Sequence, residues 1–227
     1  MNFDAWLAKM DQWLRMNGAP TESLALLQRG SPQAFSRIAD AMRDTTVHGG
    51  EHLVLGEFDL EIIWTPGHSQ GHICLYEPNR RILLSGDHVL LDITPNVSIH
   101  IQSAGNPLAD YLNSLQQTAQ LPVNLVLPAH EKTFSDLRKR VMEIERHHEA
   151  RGQAILAAFD GVPKTAYQIA GLVPWSTNGV SWGELSPFVK RMAVAETLAH
   201  LEMLYIRGDL IKSIVDGVVW YSASPAI

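Results

Sequence analysis

Three segments of the chain end in side chains able to bind a metal ion: TPGHSQGH at Thr65 to His72, LLSGDH at Leu83 to His88, and LPAH at Leu127 to His130. Each lies where an apolar run stops and therefore reads as a strand end. Neighbouring strand ends can bring their side chains to one point. His68, Asp87 and His130 would supply two imidazoles and one carboxylate, which suits zinc, iron or manganese better than calcium, whose shell is all oxygen. No HxHxDH segment lies upstream of His68 to complete such a shell.

The other polar candidates have plainer readings. His72 is read as packed or backbone-bonded, with support of a ligand as the alternative, and His88 alternates to the other side of its strand end. In HGGEH the four-residue spacing of His48 and His52 fits a helix face, but Gly49 and Gly50 favour a turn into a strand. His147 and His148, between Arg146 and Arg151, point different ways on a helix and are read as a solvated charged face rather than a phosphate site. His100 and His200 receive no function. Trp175 and Trp182, among Gly, Ser and Pro, are read as packing an interdomain loop or equally as touching substrate, and the Met residues as core.

The elements that must position the three segments follow from periodicity. Phe3, Trp6, Leu7, Met10, Trp13 and Leu14 make one stripe of a helix ended by Gly18 and Pro20, and a second helix is expected from Pro32 to Arg43. From His52 the period changes to strands: HLVLG, FDLEIIW, HICLYE and RILLSGD, a mostly antiparallel run. A helix from Leu108 to Ala119 then leads to a buried strand that Pro128 stops. This order predicts a sheet with helices on one face. Phe134 to Phe159 reads as one long charged helix, with Leu137, Val141, Ile144, His148, Ala154 and Ile155 on its apolar side. Further helices are expected from Thr165 to Leu172 and from Pro187 to Ile206, the latter closed by Gly208. Asp216-Gly217 is the signal for a two-residue hairpin turn, and helices followed by a hairpin suggest a winged helix.

With 227 residues and 46% hydrophobic content, the chain is long enough to bury a real core. Its formal net charge of -6, with no basic block, argues against a nonspecific polyanion binder. The single cysteine, Cys74, lies in an apolar run and reads as a buried thiol. No signal peptide or membrane span is evident, which leads to the expectation of a cytoplasmic protein with no membrane partner.

Taken together, TPGH, SGD, LPAH, a long helix containing HHEAR and a terminal winged helix resemble the C-terminal part of metallo-β-lactamase-fold hydrolases, the superfamily that includes glyoxalase II. The likeness is strongest to the branch with a C-terminal winged helix, to which β-lactamase-like endoribonucleases belong, and it covers Ala5 to Ala223. The resemblance implies an α/β (α+β) chain: part of an αββα sandwich at 1–133, a connecting helix at 134–152 and a winged-helix domain at 153–227. It further implies two zinc ions, with iron or manganese as alternatives. His68 would ligate one ion, Asp87 would bridge both as the catalytic carboxylate, and His130 would ligate the second. The family's remaining ligands come from an HxHxDH loop, so the resemblance implies a chain that starts after that loop, either a fragment or a half-fold.

The implied activity is metal-dependent hydrolysis of an ester or thioester, with an RNA phosphodiesterase or a non-catalytic binding module as alternatives. The winged helix suggests DNA as a rival partner, but acidic residues outnumber basic ones beyond Gln153. An open inner sheet face, assigned to Ile62, Trp64, Ile73, Leu75, Leu83 and Val126, would cost on the order of several kcal/mol. A marginally stable chain, or one that pairs as a homodimer, is the expected consequence.

Overall fold

The computed structural model describes residues 3–28, 45–175 and 179–225. Five strands form one sheet in sequential order: β1 (His52–Leu55), β2 (Phe58–Trp64), β3 (Ile73–Glu77), β4 (Ile82–Gly86) and β5 (Leu125–Pro128). The first four pair antiparallel and β5 joins β4 in parallel, because a helix (α3, Pro107–Ala119) intervenes and reverses the chain. The preceding helices are α1 (Phe3–Met16) and α2 (Thr21–Gln28). The helix expected from Pro32 to Arg43 falls outside the described residues.

Register decides which side chains share a face, since residues directly opposed across two strands point the same way. Ile62, Leu75, Leu84 and Leu127 form one row across four strands, with Trp64 and Ile73 beside it. Tyr76, Leu83 and Val126 form a row on the opposite face, and all three are buried. The six residues expected on a single face are therefore split: Leu83 and Val126 lie on the reverse side. β4 and β5 are apolar on both faces, so alternation could not distinguish them, and pairing register did.

The long helix α4 spans Leu137–Ala157 and buries Leu137, Val141, Ile144 and His148, a repeat of four, three and four residues. α3 is capped by Asn106, whose side chain accepts the N–H groups of Leu108 and Ala109, and it buries Tyr111 and Leu115.

The described residues form two compact units, one of 45–97 and 103–150 and the other of 3–28, 98–102, 151–175 and 179–225. The first holds the sheet. In the second, α5 (Ala166–Leu172) and α6 (Pro187–Arg207) precede a hairpin of β6 (Leu210–Val215) and β7 (Val218–Ala223). A capping box between Thr165 and Gln168 starts α5, and Gly208, at φ 87°, ends α6. Asp216 and Gly217 both have positive φ, as the tight hairpin turn requires. The core of this unit centres on Ile155, Ile169, Val194, Leu201, Leu204 and Tyr221, and Met10, Leu14, Leu24 and Leu27 form a smaller cluster from α1 and α2. Among the described residues no helix is long and apolar enough to cross a membrane.

Candidate metal centre

All three segments singled out above end at one edge of the sheet. TPGH follows β2, Asp87 follows β4, and His130 follows β5, which is parallel to β4 and so delivers its end to the same side. His68 Nε2 stands 3.7 Å from one oxygen of Asp87 and His130 Nε2 stands 3.3 Å from the other. The carboxylate thus offers a separate oxygen to each imidazole. His68 Nδ1–H donates to the carbonyl of Asn96 at 3.0 Å. This places a proton on Nδ1 and turns Nε2 toward an anionic oxygen. Asp87 Oδ1 is buried and accepts no hydrogen bond. A buried carboxylate oxygen without a donor calls for a cation, a protonated imidazole or a metal ion.

Backbone geometry sets Asp87 in place. His72 Nε2 accepts the Asp87 N–H at 3.1 Å, so its Nδ1–H must donate, and Thr65 Oγ1 lies 2.7 Å away. Burial and the neighbouring His68 hold the His72 imidazole neutral by lowering its pKa, as an acceptor at Nε2 requires. His72 therefore combines the two roles the sequence offered as alternatives: it is bonded to backbone, and that backbone belongs to Asp87. Gly86, at φ +54°, passes so near that a Cβ would lie 2.7 Å from His72 Nε2. Any side chain there would push the imidazole off the Asp87 amide.

Behind the site, Tyr111 O–H donates to the His88 carbonyl at 2.8 Å and Ser114 O–H to the Pro66 carbonyl at 3.0 Å, tying α3 to two of the three segments. Arg140 donates to the carbonyls of Leu90 and Ile93. Glu131, with positive φ, accepts the Asp92 N–H. None of these supports was anticipated from sequence, because each joins residues far apart along the chain. The apolar context of Tyr111 and the lone acid after LPAH were the available signals.

His88 is fully buried beside Tyr111 and Thr118, which fits its being read as no ligand. His148 follows the apolar-side reading of the long helix and corrects the solvated-face reading of the His147-His148 pair: it is buried against Tyr111, because α4 turns that position inward with Val141 and Ile144. His48 and His52 sit on a turn and a strand and pair with Glu51 and Asp59. The Cys74 thiol is buried and its pKa is pushed up to about 12, so it is no nucleophile at neutral pH. Trp175 donates to the Ala170 carbonyl, and Trp182 packs edge-on against Tyr167.

Burial drives the His88 pKa down to about 3 from 6.5. Its folded value lies below its unfolded one, so the unfolded chain takes up the proton first as pH falls. The stabilising contribution of neutral His88 is complete above about pH 6.5 and is lost as pH falls toward about 3. Urea midpoints of metal-free protein should therefore decline below pH 6.5, and His88→Gln should flatten that slope by about 1.4 kcal/mol per pH unit. Equal slopes for the two proteins would refute this account.

His68, Asp87 and His130 are donor types that would suit divalent ions, with Asp87 near both imidazoles. In a tetrahedral shell with bonds near 2 Å, neighbouring donors stand roughly 3.3 Å apart. The number of donors falls short: each ion would receive two. Accordingly, among the described residues no group of three or more His, Cys, Asp or Glu could hold one ion.

Residues 20–130 match the family model of the metallo-beta-lactamase superfamily. A metallo-beta-lactamase family protein from Thermus thermophilus superposes with a TM-score of 0.80 at 30% identity, over 97% of this chain and 65% of that one. A beta-lactamase domain protein from Burkholderia ambifaria gives 0.74 at 28% identity, over 98% and 62%. Among curated relatives, the lactamase-like protein adaB of Aspergillus niger is 29% identical over 57% of this chain and 39% of its own length. The lactamase-like protein nscB of Trichophyton verrucosum is 28% identical over 78% of this chain and 61% of its own length. The chain thus spans less than two-thirds of each of these proteins. Superfamily members are in general hydrolytic enzymes that bind divalent metals such as zinc. With the α/β architecture and the motif positions in agreement, residues 20–130 of this chain are similar to a metallo-β-lactamase superfamily domain.

Proposed function

We propose that this chain is a metal-dependent hydrolase that cleaves an ester or thioester, of hydroxyacylglutathione-hydrolase-like character. One observation carries the reading: Asp87 presents a different oxygen to each of two histidines drawn from separate strand ends. His68 and Asp87 would hold one ion and Asp87 and His130 the other. Bound there, such ions supply a water whose pKa falls toward about 7 and an electrophile for the carbonyl oxygen. The chain's own residues prepare the site. The Asn96 carbonyl orients His68 so that Nε2 faces Asp87, and His72 anchors the Asp87 backbone so that its carboxylate stays between the imidazoles. The helices and hairpin of residues 153–227 are read as a winged helix.

Two protein donors per ion, against the three or four usual for zinc, predict weak retention by these residues alone. The test is metal analysis together with turnover on a panel of acyl-glutathione thioesters and on single-stranded RNA, with and without added zinc. Thioester cleavage that a chelator removes and zinc restores is the expected result. Cleavage of RNA alone would reassign the protein as a phosphodiesterase, and neither metal uptake nor turnover would make it a binding module.

A further inference from the structure

A line of hydrogen bonds leaves the Asp87 amide, passes through three side chains and returns to the strand that carries Asp87. The Asp87 N–H meets His72 Nε2 at 3.1 Å, His72 Nδ1 meets Thr65 Oγ1 at 2.7 Å, and Thr65 Oγ1 lies 3.5 Å from Cys74 Sγ. The Cys74 S–H in turn donates to the Ser85 carbonyl at 3.5 Å. Ser85 is in β4, two residues before Asp87, so the line closes into a ring. Strand pairing prepares the contact: the Thr65 N–H, just past β2, donates to the His72 carbonyl, just before β3, at 2.9 Å.

One direction of donation satisfies every member. A backbone N–H can only donate, so His72 Nε2 must accept and its proton must sit on Nδ1. Thr65 Oγ1 accepts that proton and keeps its own to give. Thr65 is 1% exposed, which shuts water out, and Cys74 Sγ is its second partner. A thiol that accepts from Thr65 is left to donate to the Ser85 carbonyl, while the Ser85 hydroxyl is committed to the Val89 carbonyl. Without the Thr65 hydroxyl the ring breaks at the imidazole. One tautomer would then aim its N–H at a methyl group, and the other would set two N–H groups face to face at Asp87.

We propose that Thr65 is a positioning residue of the candidate centre: its hydroxyl holds His72 in the Nδ1–H tautomer, and His72 so held fixes the Asp87 backbone. The order of donation is a property of the chain by itself, and its consequence for metal uptake rests on the hydrolase reading above.

Heteronuclear NMR of the imidazoles in unaltered, metal-free protein at mildly alkaline pH should show a neutral His72 with its proton on Nδ1. In Thr65→Val that signature should be lost, and the Asp87 amide should exchange with solvent roughly fivefold faster. Thr65→Ser keeps the hydroxyl and should restore both. Zinc affinity should fall about tenfold in the valine variant and recover in the serine variant. A role in packing alone would give the reverse order, because valine keeps the branched shape and serine loses a methyl group. The proposal is overturned by an unaltered protein whose His72 carries its proton on Nε2, a result that needs no variant to fold. It is equally overturned by a valine variant that keeps the tautomer and slow Asp87 exchange, or by a serine variant that behaves like the valine one. Failure of the unaltered protein to take up zinc would count against the hydrolase reading, and the tautomer would still decide the role of Thr65.

Discussion

Asp87→Asn is expected to abolish metal-dependent turnover, by roughly a thousandfold or more, and to remove bound metal in the same stroke. The carboxylate faces both imidazoles, at 3.7 and 3.3 Å, so the substitution takes a donor and a negative charge from both ion positions together. His68→Ala and His130→Ala each take a donor from one position and should leave one ion's worth of residual uptake. The fold should survive, because the Asp87 side chain is about one-third exposed and the N–H that His72 accepts belongs to the backbone. Metal stoichiometry measured beside the urea midpoint separates the effects. An Asp87→Asn protein that retained full metal and activity would remove the carboxylate from the centre of the chemistry.

Gly67→Ala should be the most destabilising single-methyl change near the site, by at least about 3 kcal/mol. Gly67 has φ +140°, a conformation that side-chain-bearing residues rarely adopt, and an added Cβ would sit 2.4 Å from Tyr111 Cβ and 2.6 Å from its Cα. Neither neighbour can yield easily, since Tyr111 is fully buried on α3 and its hydroxyl is bonded to the His88 carbonyl. The loop that carries His68 would have to move away from α3, so lost stability and lost metal uptake should appear together. Gly71→Ala, in open space on the same loop, is the matched control. If both variants melt alike, the close approach of the His68 loop to α3 is not a constraint on the fold.

Much of this molecule was legible in one dimension. The switch from a spacing of three and four to a spacing of two announced the sheet, and Gly208 and Asp216-Gly217 marked the end of α6 and the turn of the last hairpin within a residue. These signals are local: a capping glycine or a pair of turn residues acts on its own few neighbours and reads the same in any surrounding fold. The motif order also pointed to the candidate centre, because ligand-type residues were tied to strand ends, and strands that run in the same direction within one sheet end at the same edge.

What required the third dimension was every decision between two apolar options or between distant partners. Leu83 and Val126 look no different in sequence from Leu84 and Leu127, yet pairing register buries the first two and leaves the others half-buried on the opposite face. Periodicity put His148 on the apolar side of the long helix while its charged neighbours suggested a solvated face, and its place beside Tyr111 depended on the azimuth of that helix against α3. The placing of Asp87 by His72, and of His68 by Asn96, joins residues separated by 15 and 28 positions. Residue type and local spacing therefore determined which groups this chain has for chemistry and which elements carry them. Only tertiary packing decided which nitrogen faces which oxygen and which side of the sheet meets water, because a one-residue shift in pairing changes those contacts without altering any local signal.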